Sequence, residues 1–306
     1  LRATVACEFE FYLLDKELDR KGRPQPPINP ATGVRETAHE VYGITELDGF
    51  MSLLKDIDEA AAAQGVPASG ATAEFAPGQY EINLKHEDDV VLAGDHAIML
   101  RHLIGAVARK HNFHASFMAK PFVNQTGNGM HVHCSVMDEK GNNIFDDGTD
   151  EGSVRLRHAI GGLQATLPEA MAIFAPNLNS YRRFGPNLFV PVNGSWGYNN
   201  RSVAFRVPNG SPDSRRIEHR VEGRRHVGAV ALIGLEEQLA LVAEGAVEAR
   251  PVDAHGGAEI IQRGGGEAAG PERGQRLRQR PVPHQRSFPT SRSRHSSPWQ
   301  EPPPLE

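Results

Sequence analysis

Gly127-Asn-Gly-Met-His-Val-His-Cys-Ser135 is the stretch whose reading decides the fold. Its two glycines allow close or left-handed backbone where a Cβ would forbid it. A period of two follows, with Met130, Val132 and Cys134 on one face and His131, His133 and Ser135 on the other. Two imidazoles two residues apart on one strand face point the same way, so they can converge on a metal ion or an anion. Taken alone, the pattern also fits a solvated polar face. Carboxylates placed on strands elsewhere in the chain tip the reading.

Thr4 to Leu14 alternates throughout, with Val5, Cys7, Phe9, Phe11 and Leu13 inward and Ala6, Glu8, Glu10 and Tyr12 on the other side. Ala6 and Tyr12 bracket the two glutamates, which marks a semi-enclosed face suited to a metal. In Glu74-Phe-Ala-Pro-Gly-Gln-Tyr-Glu81 the Pro-Gly pair bends the chain, turning both glutamates toward a common centre, although an acidic-ended hairpin reads the same way. Arg215 to Val221 is expected as a strand whose Arg216, Glu218 and Arg220 share a face: an ion-pair ladder or an anion grip. Asn199 to Arg206 is expected as a strand with Arg201 and Arg206 near its ends, and Asn179 to Arg183 as a polar loop.

The connecting segments follow from local signals. Asp15 to Glu36 reads as a long loop, a lid or a subunit contact. Thr45 to Asp48 resembles a capping box that starts a helix through Phe50, Leu53, Leu54 and Ile57, closed by Gly65. Amphipathic helices are expected over Asp88 to His111 and Glu151 to Phe174, a short strand over Ser116 to Lys120, and a hairpin around Lys140-Gly-Asn. From Glu222 to Glu306 there is no Lys, Asn or Tyr, and beyond a short helix around Val227 to Val247 the segment reads as poorly packed.

Composition narrows the function. A net charge of −5 gives no electrostatic case for nucleic acid or a membrane surface. No apolar run reaches membrane-spanning length. Two cysteines in core-facing positions, Cys7 and Cys134, suit a reducing, cytoplasmic setting. Carboxylates with imidazole and no thiolate describe a hard divalent site, Mg²⁺ or Mn²⁺ rather than Zn²⁺. Arginines beside such a site point to phosphate chemistry, yet no Walker-type loop and no Gly-x-Ser-x-Gly elbow occurs.

Five segments in order then carry a family resemblance: Glu8-Phe-Glu10-Phe, Glu74 to Glu81, Lys120-Pro through Gly129-Met-His131-Val-His133, Asn179-Ser-Tyr-Arg-Arg183, and Arg216-Ile-Glu218-His-Arg220. Together they resemble the catalytic domain of the glutamine synthetase family, from about Val5 to Val221. The resemblance implies an α+β fold, a curved antiparallel sheet backed by helices with the site on its concave face. It implies one metal on Glu10, Glu74 and Glu81, and another on Glu8, His131 and Glu218. His133, Arg201, Arg206 and Arg216 would attend the ATP phosphates, with Arg201 on the transferred group. Gly127, Arg183 and Arg220 would hold glutamate. The implied reaction phosphorylates the γ-carboxylate of glutamate with ATP, after which an amine displaces phosphate. The implied assembly is a dodecamer-type ring.

Three departures accompany the resemblance. Where ammonia-using members carry a glutamate, this chain has Phe189, able to line a pocket for a larger amine. With Trp196 to Arg201 and Gln79 to Asn83, this is similar to the γ-glutamylpolyamine synthetases, making putrescine or another polyamine the expected amine. The family's small N-terminal β-grasp domain is expected to be absent, and a start at Leu1 within a strand pattern reads as a fragment. Residues 222–306 are expected to be aberrant, resembling out-of-frame translation, in place of the family's Asn-Pro-Tyr helix segment. Rival readings are an ammonia-using glutamine synthetase, a non-catalytic metal- and nucleotide-binding relative, and a guanidino kinase on the same fold.

Overall fold

The computed structural model describes residues 1–37, 39, 41–185 and 189–221. Its sheet is built on β1 (Arg2–Asp15), whose Val5, Cys7, Phe9, Phe11 and Leu13 all enter the main hydrophobic core. The loop after β1 is pinned back on it by Arg35 Nη2 to Asp15 Oδ2 at 2.8 Å.

Where one helix was expected, two form: α1 (Ile44–Gly49) and α2 (Met51–Ala63). The capping box does not form; Gly43 stands at the N-terminus with no side-chain cap, and Thr45 lies inside α1. The break falls at Phe50 (φ −113°, ψ 14°). Tertiary packing overrides helix propensity there: the buried Phe50 ring meets those of Tyr80 and Phe113, each at 5.6 Å between centroids. Gly65 does close α2, at φ +70°, with Gly65 N–H donating to Ala62 O and Val66 N–H to Ala61 O.

β2 (Ala68–Ala73) and β3 (Gln79–Leu84) form an antiparallel hairpin around the Pro-Gly turn. α3 (Val90–Lys110) is capped by Asp89, whose side chain accepts from Val91 and Leu92 N–H. Among the described residues α3 alone has the length and apolar content to cross a bilayer, more than its interrupted sequence suggested. Its Val90, Ala97, Leu100, Ile104 and Ala108 are nevertheless buried in the core shared with β1.

β4 (Phe113–Ser116) ends where the expected strand was to begin. The reason lies in hydrogen bonding: Asn128 Nδ2 donates to Ser116 O and Met118 O, both at 3.0 Å, so those carbonyls are satisfied by a side chain instead of a ladder. β5 (Met130–Met137) continues into a single bridge, Met137 with Asn143. α4 (Val154–Phe174) is capped by the Ser153 hydroxyl, and α5 (Leu178–Tyr181) follows.

The last strands are shorter than expected: β6 (Trp196–Tyr198), β7 (Phe205–Val207) and β8 (Ile217–His219). Asn199 takes φ +47°, and residues 199–204 form a turn, so Arg201 sits on that turn and Arg206 in β7. The sheet runs β2-β3-β1-β5-β8-β7-β6, with β4 also on β1 beyond the reach of β5. Every pair is antiparallel except β6 with β7. The helix expected around 227–247, and the whole expected tail 222–306, lie outside the described residues.

Candidate active site

Strand register assembles the site. Glu8 and Glu10 share the non-core face of β1; His131 on β5 lies opposite Glu8, and Glu81 on β3 lies opposite Glu10. His133 lies opposite Glu218 on β8, and Glu218 opposite Arg206 on β7. The expected two faces of β5 are therefore real: Met130, Val132 and Cys134 join the core while His131 and His133 turn toward the carboxylates.

His131 Nδ1–H donates to Glu8 Oε2 at 3.0 Å and stands 3.6 Å from Glu218 Oε1. Its Nε2 is 3.9 Å from Glu10 Oε1. Arg216 Nε–H donates to His133 Nδ1 at 3.0 Å, so the opposite nitrogen Nε2 carries the proton and donates to Glu8 Oε1 at 2.7 Å. Arg206 Nη1 meets Glu218 Oε2 at 2.7 Å, and Arg220 Nη1 holds Glu218 Oε1.

These neighbours set opposite acidities. Burial alone would raise Glu8, but hydrogen bonds from His131 and His133 outweigh it and hold the group well below the carboxylate range. Glu218 is likewise lowered, its burial outweighed by the charges of His131, Arg220 and His133. Glu74 is pushed up to about 8, by burial and then by Glu10, with Arg201 opposing. Glu81 rises well above its ordinary value through burial and the charges of Glu8, Glu10 and Glu74. Two carboxylates face each other across β1 and β3 at Glu10 and Glu81, an arrangement unfavourable in a sheet unless a cation lies between them.

All these carboxylates and His131 open on one cavity of about 320 Å³, which Gly127, Arg183, Arg201, Arg206, Arg220 and Phe189 also line. His133 and Arg216 do not line it; they stand behind Glu8. Among the described residues two sets bring ligand atoms within 4.8 Å of one another: Glu8, His131 and Glu218, and Glu10, Glu81 and His131. Glu74 opens on the same cavity outside both sets, at the turn between β2 and β3. A set of carboxylate oxygens with one imidazole and surplus negative charge fits a hard divalent cation.

The glycine-rich stretch works by close approach, since neither Gly127 nor Gly129 is left-handed. A Cβ on Gly127 would stand 2.5 Å from Ala119 O and 2.8 Å from Arg183 Cγ. One on Gly129 would stand 2.7 Å from Arg183 Nη2 and 2.8 Å from His131 Nε2. Gly129 N–H donates to Glu10 Oε2 at 2.7 Å. Arg183 is buried, its guanidinium donating to Val221 O and Arg220 O at 3.3 Å.

Sequence reading gave no role to Tyr42, Phe75, Gln79 or Thr126, which line the same cavity. For Gln79 and Phe75 the signal was present, since both lie inside the Glu74 to Glu81 segment. Tyr42 had none: it arrives from the loop after β1 at φ +60°. Phe189 takes φ +52° at the same cavity. Left-handed backbone at an aromatic residue carries strain, which concentrates at functional sites.

The family profile described as glutamine synthetase, catalytic domain, matches residues 1–226. The chain belongs to the glutamine synthetase family. It is 48% identical over 219 residues to the gamma-glutamylputrescine synthetase of Escherichia coli, covering 72% of this chain and 46% of that protein. It is 33% identical over 222 residues to a glutamate–isopropylamine ligase of a Pseudomonas species, covering 72% and 47%. A glutamine synthetase of Halobacterium salinarum is 34% identical over 222 residues, covering 71% and 46%. The chain thus spans about half the length of the curated relatives it matches. The solved GmaS–ADP complex in its first conformation shares the fold, with a TM-score of 0.71 at 23% identity, over 86% of this chain and 59% of that one.

Proposed function

We propose that this chain is the catalytic part of an ATP-dependent ligase that joins glutamate to an alkylamine, a polyamine such as putrescine by preference, through γ-glutamyl phosphate. The observation that carries the reading is the convergence of Glu8, Glu10, Glu74, Glu81, His131 and Glu218 from four strands and one turn on a cavity ringed by four arginines. Glu8, His131 and Glu218 would hold one Mg²⁺ or Mn²⁺, and Glu10, Glu74 and Glu81 another. When bound, such ions neutralise phosphate and carboxylate oxygens during phosphoryl transfer.

The chain's own residues would divide the remaining work. Arg183 and Arg220, with Gly127 backbone, orient the glutamate carboxylates. Arg201, on its exposed turn, faces the transferred phosphoryl group, and Arg206 the nucleotide phosphates. His133, held by Arg216, would attend the phosphates through Glu8, to which it donates. Phe189 lines the entry for the amine with an apolar ring in place of a charge. The names of the two amine-ligating relatives support an amine substrate. The division into a catalytic domain over 1–221 and a distinct 222–306 segment, a ring-type homo-oligomer and a cytoplasmic setting belong to the same proposal. The buried thiols of Cys7 and Cys134 suit that setting.

The test is purified protein with glutamate, ATP and Mg²⁺, given either putrescine or ammonium. Phosphate release with a γ-glutamyl amide, faster with putrescine, is expected. A clear ammonium preference would return the chain to the ammonia-using members. Nucleotide binding without phosphate release identifies a non-catalytic relative. A stable phosphorylated product identifies a kinase.

A further inference from the structure

Gln79 is buried at the start of β3, and its amide contacts several parts of the site. Its Nε2 lies 3.0 Å from Gly127 O, 3.1 Å from Asn128 Oδ1 and 3.5 Å from Glu10 Oε2. Its Oε1 lies 2.6 Å from Thr126 Oγ1 and 3.4 Å from Ala76 N. A main-chain carbonyl only accepts and a main-chain N–H only donates, so the partners at Gly127 and Ala76 fix which way round the amide sits. The side chain therefore ties three things together: the turn that carries Glu74, the glutamate Glu10, and the loop 126–128 that leads into Gly129.

The loop needs such a tie. Gly127 lies against Arg183 so closely that a Cβ would collide with it, and Gly129 N–H is committed to Glu10. The position of the loop thus decides both where its backbone meets the cavity and how Glu10 is aimed. Asn128 is already spent on Ser116 O and Met118 O, leaving Gln79 to hold the cavity side. Thr126 completes the arrangement, since its carbonyl accepts from Tyr12 Oη at 2.7 Å while its hydroxyl donates to Gln79.

We propose that Gln79 is a positioning residue that sets the 126–129 loop for the amino-acid substrate and couples that loop to Glu10. This rests on the ligase reading above. An isosteric carboxylate keeps the acceptor for Thr126 but turns the donors into an oxygen facing Gly127 O, Asn128 Oδ1 and Glu10. A residue that only filled space would tolerate that exchange.

The experiment compares the wild-type full chain with Gln79→Glu, Gln79→Leu and Thr126→Val. It measures KM for glutamate and for ATP, thermal melting, and Mn²⁺ binding followed by electron paramagnetic resonance without substrate. For Gln79→Glu and Gln79→Leu the glutamate KM is expected to rise about tenfold, for the loss of one to two hydrogen bonds. The ATP KM should stay within about twofold by the same reasoning, because no Gln79 contact reaches the Glu218 side. Thr126→Val, which unfastens only one end of the amide, should show the same pattern more weakly, and Mn²⁺ affinity should change in Gln79→Glu. Gln79→Glu with wild-type kinetics and Mn²⁺ binding overturns the proposal. So does a lowered melting temperature with both KM values unchanged, or an equal rise in both. If the wild type itself makes no γ-glutamyl product, the ligase reading fails instead, and the Mn²⁺ comparison still tests the link between Gln79 and Glu10.

Discussion

At the scale of single residues, the informative feature is that neighbouring carboxylates are driven in opposite directions. Glu74 is pushed up to about 8 from an ordinary 4.5, so between those values the folded protein holds a proton that the unfolded chain has released. Stability from this group is complete below about pH 4.5 and is lost as pH rises toward 8. Glu81 acts in the same sense. Without divalent cations, melting temperature should therefore fall between pH 5 and pH 8, checked by scanning calorimetry in chelator. Mg²⁺ should reverse the trend, releasing protons as it binds, and Glu74→Gln should flatten the slope. A slope that persists unchanged in Glu74→Gln would assign it to other groups. Phe189 gives a second prediction at this scale. Its exposed ring offers no charge to an ammonium ion but offers apolar surface to an alkyl stem. Phe189→Glu should move the ratio of kcat/KM for ammonium over putrescine upward by about tenfold, the size expected from trading an apolar contact for a charged one. Competition assays with both amines read this directly.

Among the elements, β8 shows how three residues of strand do disproportionate work. Glu218 is almost fully buried and meets guanidinium groups from β7 and from its own chain two residues on. Glu218→Gln would leave those charges facing a neutral amide, and equilibrium unfolding should show a loss of about 3 kcal/mol. The glycine-rich entry to β5 makes a contrasting case. Gly129→Ala would press a methyl against Arg183 and His131 side-chain ends, which can shift. It should retain most stability and lose activity by more than tenfold, the scale of misplacement effects in preorganised sites. The faces of β1 and β5 were legible in sequence because a period of two survives any tertiary context: Glu8, Glu10, His131 and His133 follow from alternation alone. Helix α3 was legible for the same reason at its own period. The break at Phe50 and the end of β4 at Ser116 were not, since each depends on partners far along the chain. The Phe50 ring seeks Tyr80 and Phe113, and Asn128 captures the Ser116 carbonyl. Tyr42 at the cavity was hidden similarly, as an ordinary residue brought in by a loop.

For the molecule as a whole, the question is how much chain the site requires. The family match ends at residue 226, and the hydrophobic core described here reaches Val221, whose carbonyl accepts from Arg183 inside the site. The candidate ligands and arginines named above all precede the segment 222–306. If the division proposed above holds, a chain ending at residue 226 keeps the carboxylate cluster, the cavity and the strand β8 that closes it. Cation binding stabilises a fold by RT ln(1 + [L]/Kd), about 2.7 kcal/mol at a hundredfold excess over Kd. The full chain and the shortened chain should then gain the same Mg²⁺-dependent rise in melting temperature, within about 2 °C, the shift set by about 0.5–1 kcal/mol in a domain of this size. Glu10→Gln in either chain should remove most of that gain, tying it to the cluster rather than to nonspecific ionic strength, for which an equal concentration of Na⁺ is the control. A gain present in the full chain and missing from the shortened one would mean that the later residues contribute to the metal-loaded site, and the division at residue 221 would have to be redrawn.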